Sequence, residues 1–206
     1  IGGICDAVDS VVSKSLDNAF CAFRPPGHHA ERDKAMGFCF FNNVAIAAKY
    51  AQKRYGIDKV AVVDFDVHHG NGTQHIFQTD PSLFYASSHQ YPAFPGAGSA
   101  FEKGVGNVVN VPLSPGSGSD EFRSAYRETI LPALVRFGPE LLIISAGFDA
   151  HKNDPLANFK LESKDFFEIT KNLSLGKFII NSFLFFVTVN KPDLEINSIS
   201  CRLGSR

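Results

Sequence analysis

Lys59–Asp66 reads KVAVVDFD and runs straight on into VHHGNGTQ, Val67–Gln74. The four apolar residues Val60–Val63 have the length and β-branched content of a strand buried on both faces. Such a strand belongs in a parallel sheet covered by helices. ELLIISAGFD, Glu140–Asp149, is a second strand of this kind, and shorter ones are expected at Ala19–Phe23, Leu83–Ser88 and Asn107–Leu113. Helical periods fall between them. Ile4–Leu16 carries Ile4, Val8, Val11, Val12 and Leu16 on one stripe. A second helix has Asn42 or Asn43 as its cap and Gly56 as its stop. A third runs from a cap at Ser119 or Asp120 to Gly138, with a kink expected at Pro132. The pattern predicts an α/β fold, a three-layer αβα sandwich with a mainly parallel sheet.

Bulk composition narrows the classes. The chain has 206 residues, 44% hydrophobic and 20% charged, which is ordinary for a globular domain. A formal net charge of −1 gives no electrostatic footprint for direct nucleic-acid binding. No apolar run reaches the ~20 residues that span a bilayer, so no membrane partner is expected. The best candidate, Phe178–Val189, is interrupted by Asn181 and Ser182 and reads as a buried strand or an apolar tail. Four cysteines without a CxxC pair suit reduced thiols in an intracellular protein, cytoplasmic or nuclear. The start at Ile1 and a single methionine, Met36, suggest a fragment.

Both apolar strands run out into acids: Asp64 and Asp66 from one, Asp149 from the other. In open parallel sheets, ligands gather beyond the carboxyl ends of the strands. On an extended chain Asp64, Asp66 and His68 share a face, with neighbours about 6.6 Å apart at Cα. Asp66 and His68 can then reach one ion, joined by Asp149. Asp64, about 13 Å from His68 on a straight strand, suits an orienting role better. Three such ligands with one open position describe a catalytic zinc site.

A second histidine pair, His28–His29, lies in FRPPGHHAERDKAMGFCFFNN. Hydrolysis at a metal needs a base for water and an acid for the leaving group, and two imidazoles supply these near neutral pH. Asp64 is a candidate orienter for one and Asn71 for the other; an Asn partner favours the neutral ring. Phe38 and Phe94 stand in Gly- and Pro-rich loops, where aromatics line a slot or cover a core.

Together, RPPGHHA, GFCFFNN, VVDFDVHHGNGTQ, FPGAG and SAGFDAHKNDP resemble the zinc-dependent histone deacetylase family, of the arginase/deacetylase fold. The motifs occur in the family's order over about residues 1–173, and Asn71 resembles class II members. The resemblance implies zinc on Asp66, His68 and Asp149. It implies catalytic His28 and His29, partnered by Asp64 and Asn71, and a substrate tunnel of Gly37, Phe38 and Phe94. It implies a structural potassium site at Asp64, Asp66, His68, Ser87 and Ser88. The implied reaction is hydrolysis of N-acetyl-lysine in histones or other proteins, or of an acetylpolyamine, to acetate and a free amine. Corepressor-type protein partners are part of the same expectation.

The chain departs from the family pattern at both ends. The family's N-terminal segment is missing before Ile1, so the fold is expected to be incomplete at both ends. No tyrosine follows Tyr126, although the family places a catalytic tyrosine after the helix near Leu173. Residues 174–206 read as a divergent tail, and the strand Glu140–Asp149 is expected to lose neighbours and expose an edge. Two alternatives follow. One is a truncated inactive form that at most binds partners. The other is an arginase-like enzyme with two metals, although the loop after Asp149 offers only Asp154 as a further bridging acid.

Overall fold

The computed structural model describes residues 1–175 and 182–188. Six strands form one sheet: β1 Asn18–Phe23, β2 Val60–Asp64, β3 Leu83–Gln90, β4 Val108–Leu113, β5 Leu141–Gly147 and β6 Ser182–Thr188. Their order is β1-β6-β5-β2-β3-β4, and every neighbouring pair is parallel. Alternate residues of the central strands face opposite layers, which is why these strands read as unbroken apolar runs.

On one face Val60, Val62, Leu83, Tyr85, Leu141 and Ile143 pack against helices α1 (Gly2–Val12), α2 (Asn43–Tyr55) and α3 (Asn71–Phe77). On the other, Ala61, Val63, Phe84, Leu142 and Ile144 meet α4 (Ser119–Ala125), a π-helical turn Tyr126–Ile130, α5 (Leu131–Phe137) and α6 (Ser163–Leu175). The three-layer αβα sandwich expected from the sequence is therefore present. Each Val, Leu or Ile buried this way contributes about 1.5–3 kcal/mol.

Several boundaries differ from expectation, for local reasons. The α1 helix stops at Val12, not Leu16, because Lys14 turns into the left-handed region at φ 63°. Asn42 is the cap of α2, accepting from the Ala45 N–H at 3.0 Å, and Gly56 ends it at φ 67°. The cap of α4 is Gly118, not Ser119 or Asp120; its N–H donates to the Glu121 carboxylate at 2.9 Å. Just before Pro132 a π-helical turn separates α4 from α5: the Leu131 N–H bonds the Tyr126 carbonyl five residues back, which shifts the hydrogen-bond register where the proline has no N–H to give. The short helix α3 was not expected at all.

The β6 strand comes from the segment read as a divergent tail. It lies between β1 and β5, so β5 is an interior strand flanked by β2 and β6, not an exposed edge. The rest of the run Phe178–Val189 lies outside the described residues. No helix among the described residues is long and apolar enough to cross a membrane.

Candidate metal centre

The sheet order places the site. From β2 the chain proceeds outward to β3 and β4, then returns to lay β5 on the other side of β2. Adjacent strands whose connections diverge leave a crevice beyond their carboxyl ends. The β2 strand ends at Asp64, in register with Ser87 on β3 and Ser145 on β5. Beyond it the chain leaves the extended conformation expected from the sequence. The Asp66 N–H donates to Asp64 Oδ1 at 3.1 Å and the His68 N–H to Asp66 Oδ1 at 2.9 Å. Two successive side-chain-to-backbone turns curl the segment over the strand end. The Val67 N–H donates to Asp149 Oδ1 at 3.1 Å, tying this loop to the one after β5.

Asp66, His68 and Asp149 converge, with one donor atom of each within 4.8 Å of the others. His68 Nδ1 lies 2.9 Å from Asp149 Oδ2 and 3.1 Å from Asp66 Oδ1. Ligands about 2.0–2.2 Å from a tetrahedral zinc stand roughly 3.3–3.6 Å from one another, so little movement is needed to hold an ion. Asp66 Oδ2 is buried without any hydrogen-bond partner. A buried carboxylate oxygen with no donor is costly, and a cation removes that cost. The residues fit a divalent metal. Burial opposes charge on His68, but its bonds to Asp149 and Asp66 outweigh that and push it up to about 10. Burial and the neighbouring Asp66 charge push Asp149 up to about 6. Among the described residues no second such cluster adjoins it, and Asp154 lies outside the group.

Beside the cluster, His28 and His29 are both buried, with ring centroids 4.0 Å apart. His28 Nδ1 bonds Asp64 Oδ2 at 3.0 Å, and its Nε2 lies 3.9 Å from Asp66 Oδ2. Burial opposes its charge, yet the Asp64 and Asp66 carboxylates hold it up at about 9. His29 Nδ1 bonds Asn71 Oδ1 at 2.9 Å; burial, then the charge on His28, pushes it down to about 3. One imidazole is thus held charged and its neighbour neutral. Paired groups whose environments drive them apart are the pattern of an acid and a base.

The Phe94 ring stands edge-on to His29 at 5.0 Å and to His68 at 6.3 Å, half exposed at the mouth of the site. Phe38 is 85% exposed on a left-handed backbone, φ 63°. Gly37 backs directly onto the His29 ring, which any Cβ there would strike, and its carbonyl accepts from the Cys39 thiol. Ser87 Oγ bonds His89 Nδ1 at 2.9 Å, and Ser88 Oγ donates to the Tyr126 hydroxyl at 3.3 Å. His69 points away from the cluster, bonding Gln74 at 3.0 Å against Tyr85 and His89.

Three contributors escaped the sequence reading. The Tyr85 hydroxyl donates to Asp64 Oδ2 at 3.3 Å and accepts from the Gly70 N–H at 3.0 Å. Glu31 accepts from Asn71 Nδ2 at 2.7 Å. Glu102 accepts from the Gly98 and Ser99 N–H groups, while His89 bonds the Gly98 carbonyl, so the loop carrying Phe94 is pinned. The position of Tyr85 on a strand beside Asp64 was the one available signal. Glu31 carries none, because its partner Asn71 is 40 residues away, and Glu102 lies in an irregular loop whose turns follow no period.

A parallel αβα sandwich with a carboxylate–imidazole cluster at its switch point defines a class of metal-site α/β domains. Comparison with known proteins narrows the class. The histone deacetylase domain matches residues 1–183, and the chain belongs to the histone deacetylase family. It is 43% identical over 175 residues to histone deacetylase 14, chloroplastic, of Arabidopsis thaliana, covering 81% of this chain and 41% of that protein. It is 46% identical over 169 residues to the histone deacetylase-like amidohydrolase of Pseudomonas aeruginosa, covering 80% of this chain and 44% of that one. The crystal structure of the HDA15 HD domain superposes with a TM-score of 0.84 at 40% identity, over 89% of this chain and 55% of that one. The fold is therefore the arginase/deacetylase fold. The chain spans roughly half or less of the length of these relatives.

Proposed function

We propose that this chain is the catalytic part of a zinc-dependent amidohydrolase that removes acetyl groups from lysine side chains of proteins. The observation that carries this reading is the convergence of Asp66, His68 and Asp149 beside the buried His28 and His29, which are backed by Asp64 and Asn71. Zinc held by Asp66, His68 and Asp149 would supply Lewis acidity toward an amide carbonyl and would lower the pKa of a water.

The chain's own residues supply the rest. His29, neutral and backed by Asn71, is the proton acceptor for the attacking water. His28, charged and backed by Asp64, neutralises developing negative charge and is a proton source for the leaving amine. Phe94 presents an apolar wall for a methylene stem, and the exposed Phe38 suits a substrate that arrives from solvent. A structural potassium at Asp64, Asp66, His68, Ser87 and Ser88 is part of the proposal, supported by the register of Asp64 with Ser87. The 206 residues contain no tyrosine beyond Tyr126. Loss of an oxyanion donor costs on the order of 3 kcal/mol, about a hundredfold in rate, so turnover by the 206 residues tests whether they supply one themselves.

The test combines metal analysis with turnover of an acetyl-lysine peptide. One zinc per folded chain is expected, lost in Asp66→Ala, with deacetylation abolished by His29→Ala. Folded protein that takes up no zinc would refute the reading. Zinc uptake without deacetylation would leave a metal-binding module in place of an enzyme. Two metals per chain with ureohydrolase activity would favour the arginase-like alternative.

A further inference from the structure

We propose that Glu31 is a positioning residue that determines which nitrogen of His29 carries the proton, an inference resting on the role of His29 just given. Asn71 stands between the two. Its Nδ2 faces the Glu31 carboxylate at 2.7 Å, the Met36 sulfur at 3.2 Å and the His29 carbonyl oxygen at 3.5 Å. All three are acceptors with no proton to give. An amide nitrogen donates and an amide oxygen accepts, so these neighbours hold Nδ2 outward and turn Oδ1 toward His29.

Asn71 Oδ1 lies 2.9 Å from His29 Nδ1. An amide oxygen cannot donate, so Nδ1 must carry the hydrogen, and Nε2, across the ring, keeps its lone pair. That is the tautomer a proton acceptor requires. Of the three groups around Nδ2, Glu31 is the nearest and the only charged one, which makes its bond the strongest. Thioether sulfur is a weak acceptor, and the carbonyl stands at the limit of hydrogen-bond distance. Without Glu31 the amide can turn over, presenting Nδ2 to His29 Nδ1 and leaving the proton on Nε2.

Glu31 is only partly buried, at 27% side-chain exposure, on the rim of a surface cavity of about 430 Å³. Its other oxygen lies 3.4 Å from His75 Nδ1. Substitution there reaches the buried pair from the surface without opening the core.

Long-range 1H–15N spectra of the full chain, with zinc and metal-free, report the tautomer of His29 directly; His29→Gln assigns its signals. The wild type is expected to show Nδ1–H. Glu31→Gln, which offers both a donor and an acceptor, is expected to populate both tautomers. Glu31→Lys, a donor only, is expected to reverse the amide and give mainly Nε2–H. Adding Asn71→Asp to Glu31→Lys is expected to restore Nδ1–H, since both oxygens then accept. If Glu31→Lys does not fold, the Gln variant decides alone. Nε2–H in the wild type, or one tautomer shared by wild type and variants, would overturn the inference. Zinc content of the same samples separates the two claims. A Glu31-dependent tautomer in protein that takes up no zinc upholds this inference while the functional reading falls.

Discussion

Asp66 Oδ2 lies so close to the Cα of Gly147 that a Cβ there would run into the carboxylate. Gly147 ends β5, and its bare Cα lets the loop from β2 close over the strand end. The oxygen it admits is the buried one without a hydrogen-bond partner. Gly147→Ala is therefore expected to push Asp66 out of the cluster while the sheet stays intact. Displacing a group that sets a metal ligand typically costs ten- to a hundredfold in affinity, so about that loss is expected for zinc. Competition against a chromophoric chelator measures it. Unchanged affinity would mean that Asp66 does not hold the ion.

Zinc uptake should also depend on pH, in a direction the site dictates. In the metal-free fold, burial opposes charge on His68, but bonds to Asp149 and Asp66 push it up to about 10. A ligand must present a lone pair, so zinc binding at pH 7 would have to displace that proton. Burial and the Asp66 charge raise Asp149 to about 6, so below that pH a second proton must leave. Both groups are shifted upward, so protons compete harder as pH falls and affinity rises with pH. Titration calorimetry at pH 7, in buffers of different ionisation enthalpy, should show at least about one proton released per zinc. Release should increase at pH 5.5. No net release at pH 7 would show that no proton on His68 is displaced.

Cys39 is a thiol beside the site that is expected to be inert. It is 1% exposed, and burial pushes it up to about 12. The thiolate is the reactive form, and almost none exists at neutral pH. Iodoacetamide at pH 7.5 should leave Cys39 unmodified in folded protein and label it in urea, as read by peptide mass spectrometry. Rapid labelling of the native state would show that the GFCFFNN loop opens.

What could be read from the sequence followed from burial. The β2 and β5 strands were visible because both faces are covered, so their runs show no polar alternation; the acids at their ends marked the crevice. The grouping of Asp66 with His68 was reached from an extended-strand geometry. The fold achieves it through two tight turns, which the DxDxH spacing permits equally well. The α3 helix was missed because it is seven residues long and opens on Gly70 without a side-chain cap. Tyr85 and Glu31 were missed for another reason. Their partners Asp64 and Asn71 lie 21 and 40 residues away, and no local period encodes such contacts. The β6 strand shows the same limit, since its place between β1 and β5 is set by the sheet and not by its own pattern.

Asp165 is a buried carboxylate whose partners hold the outer layer to the loop that carries Asp66. It accepts from Ser119 Oγ at 2.8 Å, from the Glu162 N–H at 2.9 Å, and from Arg123 Nε and Nη2 at 2.8 and 2.7 Å. These bonds join α4 to the start of α6, whose Phe166 packs 5.7 Å from Phe65 in the loop leading to Asp66. Removing the guanidinium leaves a buried charge without its cation. Arg123→Ala is expected to destabilise the fold by roughly 3 kcal/mol, at the low end for broken buried pairs because Arg123 is itself partly exposed. Arg123→Lys keeps the charge but not the fork and should fall between the two. Urea unfolding followed by circular dichroism measures the loss. A change below about 0.5 kcal/mol, the ordinary range for surface substitutions, would mean that water takes the place of the guanidinium.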